Sequence, residues 1–127
     1  MTYSYRKKLT LSFEEVSNNL PIVLQNEWFG IVTTIDMQEK IQKKIHKDIW
    51  KYVIYGVCNP QLAYDALQLE HEVWLLLPCN IIVYEQDDEL FISALLPTVA
   101  MKTIKKTSLD TIAQLAEQKI KNIIDRI

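Results

Sequence analysis

The stretch from Gly56 to Glu85, GVCNPQLAYDALQLEHEVWLLLPCNIIVYE, holds both cysteines, one of the two glycines and two of the four prolines. Its punctuation dictates an order of elements: strand end, capped helix, short apolar run, turn, new strand. An Asn side chain accepts a first-turn backbone N–H, and proline at the first helical position loses no needed donor, so Asn59-Pro60 predicts a helix start. Leu62, Ala63, Ala66, Leu67 and Leu69 then recur at helical spacing, with Gln61, Asp65 and Gln68 facing out. Glu70-His71-Glu72 reads as a polar loop. Val73 to Leu77 is too short to span a membrane and too apolar for water, which predicts burial against a sheet. Pro78 ends that run, and Cys79-Asn80 leads into a strand, Ile81 to Glu85, that is apolar on both faces.

The chain leading into this block predicts five elements. Thr2 to Leu9 reads as a strand with Tyr3, Tyr5, Lys7 and Leu9 on one face and Ser4, Arg6 and Lys8 on a wet one. Ser12 and Glu15 form a capping box for a helix whose stripe of Phe13, Val16, Leu20, Val23 and Leu24 runs to about Asn26. Pro21 lies inside that stripe and predicts a kink or break near Asn18-Asn19. Phe29 to Ile35 is a second strand, and Asp36 caps a helix carrying Met37, Ile41 and Ile45 to about His46. The third strand, Ile49 to Val57, has no polar face: Ile49, Val53, Tyr55 and Val57 lie on one side, Trp50, Tyr52 and Ile54 on the other. When helices occupy one face of an antiparallel sheet, another segment, a ligand or a second subunit must cover such a second face, and this is the main reason to expect a homodimer.

After the block, Glu85 to Glu89 connects the fourth strand to a fifth, Leu90 to Leu96, as a hairpin closed by Pro97. Thr98 to Lys106 carries no clear signal. Thr107-Ser108-Leu109-Asp110 predicts the cap of a final helix whose stripe of Leu109, Ile112, Leu115, Ala116, Ile120, Ile123 and Ile127 should lie along the sheet. Residues 1–127 therefore read as a single α+β domain: an antiparallel sheet of about five strands with helices packed on one face. The composition is globular, 49% hydrophobic and 24% charged, and a net charge of −2 draws the chain to neither nucleic acid nor an anionic membrane. No apolar run approaches the roughly 18 residues of a membrane helix, and the amino terminus lacks the apolar core of a signal peptide. The expected location is the cytoplasm, with reduced cysteines.

The CNPxLAYxAL segment followed by LLLPCNIIVYE resembles the signature of the domain of unknown function 302 family, small bacterial and archaeal proteins without an assigned activity. Phe29 to Asp36, FGIVTTID, is similar to that family's earlier segment, so the resemblance covers most of the chain. It implies a TATA-binding-protein-like α+β fold, often dimeric. The chain departs from the pattern at Pro21 and at Trp28, where the family usually has Gly. One branch of the family carries other residues where Cys58 and Cys79 stand, which argues against a thiol reaction common to all members.

Cys58 and Cys79 sit beside asparagines at corresponding ends of two strands, where neighbouring strands would bring them together. Cys58 also precedes a helix start, whose positive end stabilises a thiolate. Both residues fit equally as small buried apolar side chains. A metal site has little to stand on: His46 and His71 occupy different segments and no C-x-x-C or H-x-x-x-H spacing occurs. His71 beside Glu70 or Glu72 offers a catalytic pairing or plain solvation. With Gly30 and Gly56 each alone, no phosphate loop exists. Lys40, Lys43, Lys44 and Lys47, with Lys102, Lys105 and Lys106, would hold an anion if they met, and are otherwise solvated helix faces.

Three functions follow. One is a cytoplasmic homodimeric accessory module binding a small apolar or sulfur-containing ligand at Cys58, Asn59, Pro60, Pro78, Cys79 and Asn80. Another is a thiol-dependent enzyme or redox carrier using Cys58 and Cys79, and the third is a purely structural interaction domain. The pattern names no cofactor and no substrate.

Overall fold

A computed structural model describes residues 2–127. Five strands, β1 (Ser4–Leu9), β2 (Gly30–Asp36), β3 (Tyr52–Cys58), β4 (Cys79–Gln86) and β5 (Glu89–Leu95), form one sheet in the order β1-β5-β4-β3-β2. Every neighbouring pair is antiparallel. Five helices accompany them: α1 (Phe13–Gln25), α2 (Met37–Ile45), α3 (Pro60–Leu69), α4 (Pro97–Met101) and α5 (Asp110–Arg126). The α+β class and the strand count agree with the sequence pattern.

Local chemistry explains most boundaries. Ser12 Oγ accepts from the Glu15 N–H while Ser12 N–H donates to Glu15 Oε1, the predicted reciprocal cap of α1. Asp36 Oδ1 accepts from the Glu39 N–H to start α2. The β4–β5 hairpin turns on Asp87 and Asp88, both at positive φ (54° and 65°), as a two-residue turn compatible with strand twist requires. On β3, Gly56 is obligatory: a methyl group there would lie 2.5 Å from Thr33 Cγ2 and 2.9 Å from Pro78 Cγ.

The core lies between one sheet face and two helices. Val16, Leu20 and Leu24 of α1 and Ile120, Ile123 and Ile124 of α5 meet Val53, Tyr55, Val57, Ile81, Val83 and Ile92 of the sheet. A second cluster, Ala66, Val73, Met101, Leu109 and Ala113, joins α3, α4 and α5 beyond the strands.

Five expectations need correction. α1 does not break at Pro21, because Val16, Leu20 and Leu24 on both sides of it are wholly buried and keep the segment helical from Phe13 to Gln25. β3 starts at Tyr52 rather than Ile49: α2 closes on His46 in the left-handed region, and Gln38 Nε2 donates to the Ile49 carbonyl outside the ladder. Trp50 therefore stands ahead of the strand, exposed. The run Val73–Leu77 is not buried against the sheet. It makes a 3-10 turn over Val73–Leu76, in which Val73 enters the helical cluster while Trp74 and Leu75 are 52% and 82% exposed. The final helix has no side-chain cap; a 3-10 turn, Thr107–Leu109, feeds directly into α5. On α5, Leu115 is exposed instead of buried in the stripe.

Candidate functional site

The end of β3, the start of α3 and the start of β4 converge on one cavity. Val57 stands opposite Cys79 in the β3–β4 register, so Cys58 is one residue away. Asn59, only 7% exposed, is tied twice: its Oδ1 accepts from the Leu62 N–H at 3.1 Å, and its Nδ2 donates to the Glu27 carbonyl at 3.4 Å. The first bond caps α3 and the second anchors that cap to the turn between α1 and β2. Trp74 Nε1 donates to the Ala63 carbonyl at 3.1 Å, fixing the 3-10 turn against α3.

The partly open cavity between these elements is lined by Cys58, Asn59 and Cys79 together with Phe29, Leu62, Ala66, Leu77, Met101, Ile112 and Ala113. Its free volume is about 30 Å³, far below the roughly 300–1,000 Å³ of sites for drug-sized ligands. Apart from Asn59, whose amide is engaged elsewhere, its walls are apolar or thiol.

Three of the predicted site residues thus meet at one cavity, and the others flank it. Pro60 opens onto a separate surface cleft with Trp28 and Leu115. Pro78 sits with Val32, Cys58, Trp74 and Leu77 in a shallow depression. Asn80 is exposed on β4 opposite Gly56 and lines neither. Met101, Ile112 and Ala113 come from the stretch after β5, outside the cysteine block. No local pattern announced them.

Both cysteines are free thiols. Burial pushes the Cys58 thiol up, and burial together with the neighbouring Cys58 pushes Cys79 up to about 11. The expected thiolate stabilisation by the α3 start does not prevail, since desolvation disfavours charge and the Asn59 side chain already occupies a first-turn donor. At neutral pH the pair is a soft, protonated wall rather than a nucleophile and its resolving partner.

The remaining candidates lie elsewhere. His46 closes α2 with an exposed side chain and His71 is exposed in the loop after α3. Among the described residues no group of three His, Cys, Asp or Glu side chains comes together that would hold a metal ion. Lys43 pairs with Glu39, and Lys106 donates to the Leu69 carbonyl and pairs with Glu70. These two lysines serve helix ends and faces.

The profile of the family described as "Domain of unknown function DUF302" matches residues 5–127. The fold is similar to the crystal structure of an uncharacterized conserved DUF302 protein from Bacillus stearothermophilus, with a TM-score of 0.94 and 28% sequence identity over 99% of this chain and 98% of that one. No curated protein matches the chain.

Proposed function

We propose that this chain, which belongs to the DUF302 family, is a cytoplasmic homodimeric accessory module that holds a small apolar molecule beside Cys58, Asn59 and Cys79. The carrying observation is the cavity: partly open, apolar, and bordered by two protonated thiols and a methionine. Such a lining recognises a ligand by dispersion and by soft sulfur contacts, and offers it no charge. Its volume selects molecules of a few heavy atoms, such as a thioether or a short alkyl thiol. The raised thiols give no support to the thiol-dependent alternative.

A titration of the protein with dimethyl sulfide, followed by the methyl resonance of Met101, tests this reading. Saturable shifts that vanish when Ala113→Leu fills the cavity are expected. An unmoved Met101 methyl would leave the cavity as a packing gap, and the chain as a structural interaction domain.

A further inference from the structure

We propose a second ligand site that opens outside the thiol cavity and shares only Asn59 and Leu62 with it: the cleft in front of Trp28 binds an aromatic carboxylate. Trp28 occupies the turn from α1 to β2 with φ at 63°. Glycine adopts that left-handed region freely and a bulky side chain seldom does. The turn is held by three backbone hydrogen bonds, from Glu27 N–H and Phe29 N–H to the Leu24 carbonyl and from Trp28 N–H to the Gln25 carbonyl. The conformation yields no burial, because the indole is 78% exposed. A strained backbone that presents a large aromatic ring to solvent is unexplained by packing and points to recognition.

The ring forms one wall of a cleft of about 470 Å³, within the roughly 300–1,000 Å³ range of small-molecule sites. Pro60, Leu62 and Leu115 are its other apolar walls, and Gln61 and Lys119 its polar rim. Leu115 is the one position of the α5 stripe that turns outward, and it does so here.

The charge at the rim selects the ligand. Lys119 lies 3.5 Å from Glu27, but Glu27 also faces Arg126 at 3.7 Å and accepts from Asn122 Nδ2 at 3.4 Å. Two cations share one carboxylate, leaving one positive charge uncompensated in a chain of net charge −2. A flat ring fits against the indole face with Leu115 behind it, and a carboxylate on that ring reaches the Lys119 end. A neutral ring would leave the cation unused, and a non-aromatic acid would leave the indole unused.

Titrating the full chain with 2-naphthoate while following the Trp28 indole N–H resonance, assigned with Trp28→Phe, tests the site. Expected are saturable shifts, with binding about tenfold weaker for uncharged 2-naphthamide and for Lys119→Met. Trp28→Gly, which suits the backbone at that turn and keeps the fold by circular dichroism, should abolish binding. An unmoved indole resonance, equal affinity for the two probes, or a change of oligomeric state in Trp28→Gly would each overturn the proposal.

Discussion

Cys79 shows how burial decides the chemistry of a residue that sequence alone leaves open. Its thiol is held up to about 11 by desolvation first and by Cys58 second, so the fold favours the neutral form. In the unfolded chain the same thiol ionises near its ordinary value of 9.0. Below that value both states carry a neutral thiol and the stabilisation is fully present; as pH rises, the unfolded state releases its proton first, and stability falls until pH passes about 11. Urea midpoints of wild type and Cys79→Ala compared from neutral to alkaline pH should therefore converge, the wild-type advantage shrinking above pH 9.0. A constant difference would mean that Cys79 is solvated and the cavity open. Asn59 illustrates the opposite case: its role as cap was legible from the Asn-Pro pair alone, because a cap is satisfied within four residues.

The caps of α1, α2 and α3 and the β4–β5 hairpin were readable from sequence because each is satisfied within a few residues of chain. What escaped was set by contacts between elements. Ile49 to Lys51 continue the alternation of β3, yet the α2 exit draws them out of the ladder, leaving only Glu85 N–H donating to the Lys51 carbonyl. Val73 to Leu77 is apolar enough for a core, but only Val73 is fully buried; Leu76 and Leu77 pack partly against the helical cluster, and Trp74 and Leu75 face outward. The cavity walls from α4 and α5 were invisible for the same reason. Pro21 is the sharpest conflict between local rule and tertiary outcome. Proline in a helix interior costs about 3 kcal/mol relative to alanine, and burying each of Val16, Leu20 and Leu24 returns roughly 1.5–3 kcal/mol. Burial wins, but the local cost remains. Pro21 is exposed and touches no core residue's position in the stripe, so Pro21→Ala should raise stability by about 1–3 kcal/mol, read as a higher urea midpoint at unchanged slope. An unchanged midpoint would show that the helix bends there to suit the sheet.

At the scale of the whole molecule the sheet has one face under α1 and α5 and another that none of these core side chains covers. Across that second face, cross-strand register aligns Ile35, Ile54 and Ile82 in one row and Tyr52, Tyr84 and Phe91 in the next. The rings stack at 5.4 and 5.5 Å, so they shield one another, and Arg6 of β1 lies over Phe91 at 4.7 Å. The charged border is therefore on the β1 side, with Lys8 paired to Glu89. The apolar end is on the β2 side, where the bulged Val32 is 61% exposed. A surface apolar at one edge and charged at the other fits a second copy better than water, and a standard interface needs only about 800 Å² per partner, a tenth of the 8019 Å² this chain exposes. Sedimentation at micromolar concentration should accordingly give twice the 14.9 kDa of the chain. Ile82→Lys, placing a charge on the middle strand at the end of the isoleucine row, should yield folded monomers with unchanged far-ultraviolet circular dichroism, whereas Arg6→Ala on the charged border should leave the dimer intact. A wild-type monomer would remove the assembly, and a dimer indifferent to Ile82→Lys would move its interface off the sheet.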